Sequence, residues 1–265
     1  MRIAAVIPAR YGSTRFPGKP LADVAGRSLI QRVYEIARAA EGVGEVLVAT
    51  DDERIASHVE GFGGRAVMTP ASCRNGTERV HSAILALEEQ DSEAPDAVIN
   101  LQGDAVLTPP WVLEAVAAEM RAHPELPMVT PAARLDAASL SLLSEAKAAG
   151  EVGGTTVVFN QAGDALYFSK AVIPFVRDAS GGAPTFRHIG LYGYRRNALE
   201  TLIGLPPSPL ELTEGLEQLR ALDNGMPVRV VEVDYRGRRH LAIDSPEDLK
   251  RVEAIIAEDG ELVAR

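Results

Sequence analysis

The sequence predicts an α/β fold, a Rossmann-like and mostly parallel sheet with a β-rich subdomain inserted in its second half. Three observations predict it. IAAVIP (3–8), GEVLVATDD (44–52) and DAVINLQGD (96–104) are short apolar runs, the second and third ending in acids, as strands covered on both faces do. Stretches of helical periodicity separate them. Beyond residue 154, TTVVFN, DALYFSK and FRHIGLYGYR are β-rich, with turn signals such as Gly163-Asp164 between them.

Ile3 to Pro8 is the first strand. Residues 28–40 then place Leu29, Ile30, Val33, Ile36, Ala37 and Ala40 on one helix face. The second strand follows, then a helix through Ile55, Val59 and Phe62. A helix over 76–90 turns Val80, Ile84 and Leu87 inward. The third strand completes an alternation that makes a parallel sheet with helices on its faces. After the β-rich segments come a helix over 211–224, the strand VRVVEVD and a last helix within DSPEDLKRVEAIIAE. There Ser245, Pro246 and Asp248 supply an N-cap, a first-turn proline and a capping-box acid. No repeat or linker intervenes, so residues 1–265 read as a single domain with a β-rich insert at about 128–210.

Charge narrows the function. The chain has 37 acidic and 27 basic residues, net −10, which argues against nucleic-acid or acidic-membrane partners. No run approaches the ~20 apolar residues of a membrane span, and the N-terminal run reaches a charged turn too soon for a signal peptide. The single cysteine, Cys73, reads as a bystander and points to a reducing compartment, hence the cytoplasm. Against this background Arg10, Arg15 and Lys19 crowd into IPARYGSTRFPGK (7–19). Ligands of such sheets sit at the carboxyl ends of the strands, so this turn should converge with Asp51/Asp52 and Gln102-Gly103-Asp104.

A glycine-bearing turn after a first strand cradles phosphate with backbone amides. This one is not a Walker A loop, because five residues separate Gly12 from Gly18 and Pro20 replaces the magnesium-binding hydroxyl residue. Nor is it GxGxxG. Three cations suit a whole triphosphate.

IPARYGSTRFPGKPL, NGTERV (75–80), NLQGD (100–104), ALYFSKAVIP (165–174), RHIGLYGYR (187–195), PPSPLEL (206–212), LEQLRAL (216–222) and IDSPEDLKRV (243–252) occur in that order. Together they resemble the 3-deoxy-manno-octulosonate (KDO) cytidylyltransferases. The related CMP-sialic acid synthetases read SKR and KN in the first motif, so STRFPGKP favours the KDO branch. The resemblance implies a nucleotide-diphospho-sugar transferase fold, a homodimer, and Mg²⁺ as cofactor. It implies transfer of CMP from CTP to the anomeric hydroxyl of a 3-deoxy-2-keto sugar acid, KDO foremost, with release of pyrophosphate. It also implies roles. Lys19, Arg10 and Asp104 are catalytic. Arg10, Gly12, Ser13, Arg15, Lys19, Gly76, Thr77, Arg79 and Gln102 bind nucleotide. Gln102, Arg187, His188, Tyr192, Glu217 and Gln218 bind the sugar, and the insert also serves dimerisation. Asp104 and Asp244 hold the metal, since Mg²⁺ takes one or two carboxylates plus phosphate oxygens.

Other residues read as structural. Asp51 and Asp52 suit a helix N-terminus, Tyr167 and Phe168 suit a core, and His58, His81, His123 and His240 lack context. Two positions depart from the family: Ala105-Val106 follows QGD in place of Glu-Pro, and Thr156 stands near a family lysine. Both imply a less charged, roomier sugar pocket. They keep open the same transfer to a modified KDO, a nonulosonic acid or a phosphonate, and less so a regulatory nucleotide-binding module.

Overall fold

A computed structural model describes residues 1–12, 15–89, 94–177 and 184–264. The first strand, β1 (Ile3–Ala9), alternates its side chains between two apolar layers. Ile3, Ala5 and Ile7 join one cluster and Val6 the other, because strand side chains alternate faces. A small hairpin, β2 (Asp23–Val24) and β3 (Arg27–Ser28), leads into α1 (Leu29–Ala39), capped by the Ser28 side chain. Then come β4 (Glu45–Thr50), α2 (Glu53–Gly61), β5 (Arg65–Met68) and α3 (Gly76–Glu89). Strand β6 (Ala97–Leu101) and α4 (Pro110–Ala122) complete this half.

The second half opens with β7 (Met128–Arg134) and α5 (Ala137–Ala148). Strands β8 (Thr156–Phe159), β9 (Ala165–Ser169), β10 (Phe186–His188) and β11 (Leu191–Arg195) follow. Helices α6 (Arg196–Gly204), α7 (Pro209–Glu214) and α8 (Gln218–Asp223) precede β12 (Val228–Glu232) and α9 (Pro246–Asp259).

One sheet unites both halves, in the order β5-β4-β1-β6-β11-β7-β10-β8-β9, with β12 also paired to β7. The strands β5, β4, β1 and β6 are mutually parallel, and β12 runs parallel to β7. The pairings of β11 with β6 and β7, and of β10 with β7 and β8, are antiparallel. Helices α1, α4 and α9 contribute to the apolar cluster on one face, and α3, α6 and α8 to that on the other.

β10 and β11 are two stretches of one bent strand. Its pairing with β7 shifts from Arg187 opposite Ala133 to Gly193 opposite Val129. Two extra residues are absorbed at Ile189-Gly190, a bulge of the kind that bends a strand and re-aims its side chains. Before the bulge this strand pairs with β8 of the insert, and after it with β6 of the parallel half. Thr130 holds the bend from within the core. Its hydroxyl donates to the Leu191 carbonyl at 2.7 Å and accepts from His188 Nε2 at 2.8 Å. That pattern puts the proton of His188 on Nε2.

The helix expected over 211–224 is two helices, α7 and α8. Ser208 and Glu211 form a capping box at the start of α7, and Gly215 ends it at φ 63°, a conformation that favours glycine. Arg220 of α8 reaches back to Glu211 at 2.7 Å. The elements β5, α4, β7, α5 and α6 and the β2–β3 hairpin had no counterpart in the sequence reading.

Thr130→Val removes the hydroxyl between two buried partners and keeps the shape. It should destabilise the fold by about 1–3 kcal/mol, the cost of leaving a buried donor or acceptor unpaired, whereas Thr130→Ser should cost less. Urea midpoints of the two variants check this; equal midpoints would remove Thr130 from its role at the bend.

Candidate active site

The loops after β1 and β6 face each other across a cleft of about 390 Å³. Arg10, Arg15 and Lys19 line it from one side, Asn75, Gly76 and Arg79 from another, and Gln102, Gly103, Asp104 and Asp244 close it. A second pocket of about 880 Å³ opens beside it, bounded by α5, the bent strand and the segment before α9. Gln102, Asp104 and Asp244 line both. The two cavities therefore meet at two carboxylates and a carboxamide.

Local structure explains each placement. The loop after β1 is closed by Gly18 N donating to the Tyr11 carbonyl at 2.9 Å, and Lys19 opens a short 3₁₀ turn, Lys19–Leu21. Gly103 lets the Gln102–Asp104 turn lie against the end of β1, since a Cβ there would stand 2.9 Å from the Pro8 carbonyl oxygen. Asn75 caps α3 by accepting from Glu78 N at 2.8 Å, so the helix presents its positive end to the cleft.

Lys19 Nζ donates to Asp104 Oδ2 at 2.8 Å and to the Ile243 carbonyl at 2.8 Å. Arg15 pairs with Asp244 at 3.2 Å. The first pair is 17% and 26% exposed and the second 71% and 52%, so solvent screens the second far more. Among the described residues Arg10 makes no ion pair, which leaves its charge open to a ligand.

The second pocket has a cationic wall. Lys170 lines it, its backbone held by N–H donation to Glu214 at 2.8 Å. Arg187 lines it too, with no carboxylate partner among the described residues, and burial lowers its pKa below the ordinary arginine range. Burial pushes His188 down to about 3, so it is neutral. Gln102 Nε2 donates to Asn100 Oδ1 at 3.1 Å, which fixes the carboxamide at the seam.

The profile of the cytidylyltransferase family matches residues 4–230. The chain belongs to that family. It is 59% identical over 263 residues to the 3-deoxy-manno-octulosonate cytidylyltransferase of Maricaulis maris (strain MCS10), covering 99% of this chain and 100% of the relative. It is 42% identical over 261 residues to the 8-amino-3,8-dideoxy-manno-octulosonate cytidylyltransferase of Shewanella halifaxensis (strain HAW-EB4), covering 98% and 100%. A solved CMP:2-keto-3-deoxy-manno-octonic acid synthetase complexed with CTP superposes with a TM-score of 0.85 at 40% identity, over 98% of this chain and 100% of that one.

In this cytidylyltransferase the sequence-derived residues fall as follows. Arg10, Arg15, Lys19, Gly76, Arg79 and Gln102 line the first cavity, and Gln102, Arg187, His188, Tyr192 and Gln218 line the second. Asp104 and Asp244 stand at the seam. Ser13 lies outside the described residues. Gly12 is on the loop but lines neither cavity. Thr77 and Glu217 also line neither. Thr77 is buried, accepts from Asn100 Nδ2 at 3.4 Å and hydrogen-bonds the Glu217 carboxyl, whose pKa burial raises. Both sit behind the wall, since their motifs run through a core helix start and a helix junction. Arg79 lines the cleft, but its guanidinium donates to Thr69 at 2.7 Å and to Asp51 at 3.0 Å. Asp51 is thus a structural partner, and Asp52 caps α2.

The sequence reading missed Ser139, Lys170, His240 and Arg251, all on the second pocket. The motif ALYFSK already held Lys170, while His240 carries no local signal. Of the two departures from the family, Ala105 lines the second pocket and Thr156 does not. Thr156 donates its hydroxyl to the Ala171 carbonyl at 2.7 Å and accepts from Ile173 N at 3.1 Å, which is a turn-holding role. Ala105 packs against the core, and Lys170 and Arg187 keep positive charge on the wall.

Acid should weaken the fold through two histidines. Burial holds His188 at about 3 and His240 at about 4, against 6.5 for a free side chain. The unfolded chain therefore binds more protons between about pH 4 and 6.5, and stability rises with pH across that window. Each histidine should contribute a slope of up to about 1.4 kcal/mol per pH unit. Urea midpoints from pH 7 to pH 4.5 should fall steeply in wild type and less so in His188→Gln and His240→Gln. Parallel profiles would show that neither ring is held neutral.

Proposed function

We propose that this chain transfers CMP from CTP to the anomeric hydroxyl of KDO and releases pyrophosphate. One observation carries the reading: a cation-lined cleft at the strand ends and a larger pocket that holds Lys170 and Arg187 share Gln102, Asp104 and Asp244. A donor and an acidic acceptor bound side by side would meet there. The likeness to a synthetase solved with CTP supports the donor, and the 59% identical relative supports KDO.

In this reaction the anomeric hydroxyl gives up its proton to solvent as its oxygen attacks the α-phosphorus, forming a C–O–P link. The bond from the α-phosphorus to its bridging oxygen breaks and pyrophosphate departs with that oxygen. Catalysis of this kind is chiefly placement and charge neutralisation. Arg10 and Arg15 would hold the triphosphate tail. Lys19, against Asp104 at the seam, would act where charge shifts around the α-phosphate. Lys170 and Arg187 suit the sugar carboxylate.

Asp104 and Asp244 fit Mg²⁺. Among the described residues no cluster of three or more His, Cys, Asp or Glu side chains could hold a metal, so an ion on these two carboxylates would complete its shell from phosphate oxygens and water, as Mg²⁺ prefers. When bound, it would neutralise phosphate charge. Leu166, Phe175 and Leu212 are 62%, 88% and 72% exposed on the insert and α7, which supports a homodimer formed through that region. Among the described residues no helix is long and apolar enough to cross a membrane, and a cytoplasmic location suits a CTP-using enzyme with one free cysteine.

Pyrophosphate release from CTP and Mg²⁺ with KDO, its 8-amino analogue and a nine-carbon sugar acid tests the assignment. KDO should give the highest kcat/KM, and no release with KDO would sink it. Lys19→Ala should lower kcat by about 10²–10³-fold, a far larger effect than on CTP affinity, while Arg15→Ala should raise the CTP requirement. Asp104→Asn and Asp244→Asn should each lose most Mg²⁺-dependent turnover. Near-normal turnover of the Lys19 variant at saturating CTP would contradict its placement.

A further inference from the structure

Resting on the reading above, we propose that His240 is a specificity-determining residue of the sugar pocket, a neutral imidazole that hydrogen-bonds a hydroxyl of the bound sugar acid. His240 lies on the loop between β12 and α9 and lines the second pocket, four residues before Asp244. Its Nδ1 is buried and finds no hydrogen-bond partner of acceptable geometry among the described residues. Buried polar atoms without partners are rare and need an explanation. A ligand that supplies the missing partner is one. The same pocket leaves a second such atom, Nε2 of the buried Gln218. Two residues of one cavity wall thus each carry a buried nitrogen without a side-chain partner.

The ring is held for this purpose. It stacks edge-on against Tyr235, centroids 5.7 Å apart at 72°, and Tyr235 packs with Val112, Ile189 and Val233 in a small apolar cluster. Charge divides the work along the wall. Lys170 and Arg187 are cations and suit the sugar's carboxylate. Burial and the neighbouring Arg187 push His240 down to about 4, so at neutral pH it offers one N–H and one lone pair. A hydroxyl can answer either nitrogen, since it both donates and accepts. Sites that pair with a substrate hydroxyl reject analogues lacking it, because the protein's own buried group is then left alone.

The test uses the full-length enzyme and pyrophosphate release. His240→Phe keeps an aromatic ring against Tyr235 and removes both nitrogens. His240→Asn places an amide near the position of Nδ1. The phenylalanine variant should raise KM for KDO by about tenfold or more and change KM for CTP by less than about twofold. The asparagine variant should recover most of the loss. Deoxy analogues of KDO, each lacking one hydroxyl, locate the partner: one should bind poorly to wild type and be indifferent to His240→Phe. An unchanged KM for KDO in His240→Phe, or equal rises for KDO and CTP, overturns the proposal. If the phenylalanine variant no longer gains thermal stability from CTP, His240→Leu replaces it under the same criterion. Wild-type enzyme inactive with CTP and KDO overturns the function itself, a result distinct from active enzyme with indifferent variants.

Discussion

The contact between Lys19 and Asp104 organises the rest of the site. One ammonium bonds Asp104 at 2.8 Å and the Ile243 carbonyl at 2.8 Å, so it ties together the loop after β1, the loop after β6 and the segment that delivers Asp244. These loops are far apart in sequence, and the parallel register of β1 with β6 brings their strand ends level. The pair is half-buried, where opposite charges attract more strongly than at the surface. The exposed pair of Arg15 with Asp244 closes the same cleft with less hold. Each carboxylate at the seam thus has a cation of the chain beside it until a ligand arrives.

The second constraint is the bent strand. Because its two stretches pair with β8 and β6 in turn, the insert is anchored to the sheet that carries the basic loop after β1. Thr130 fixes the bend through hydrogen bonds at 2.7 and 2.8 Å. That bend sets Arg187 and His188 on one side and Tyr192 on the other, all facing one pocket. Glu214 then holds the end of β9 through Ser169 Oγ at 2.7 Å and Lys170 N at 2.8 Å. The short helices α7 and α8 act as a brace for the second pocket.

What the sequence made legible follows from what is periodic or locally charged. The runs that became β1, β4 and β6 are buried on both faces, and continuous apolar stretches announce such strands. The capping box at Ser245 and Asp248 is a local signal and forms as read. The α7–α8 break was not legible, because Leu212, Leu216 and Leu219 mimic one helical face across Gly215. The strand β7 was missed because MVTPAAR neither alternates nor runs apolar throughout. Thr77 and Glu217 sit within motifs, yet they hydrogen-bond each other behind the pocket wall, and no sequence pattern separates a lining residue from its support. His240 and Lys170 reach the pocket through tertiary convergence alone.

The central claim of the proposed function is that Lys19 occupies a carboxylate that would hold the divalent cation, and that bound triphosphate would draw the lysine away. Manganese binding to nucleotide-free enzyme, followed by electron paramagnetic resonance, tests this directly in wild type and Lys19→Met. Removing a unit charge about one hydrogen bond from Asp104 should tighten manganese affinity by at least about tenfold. Equal or weaker affinity in Lys19→Met would contradict the claim.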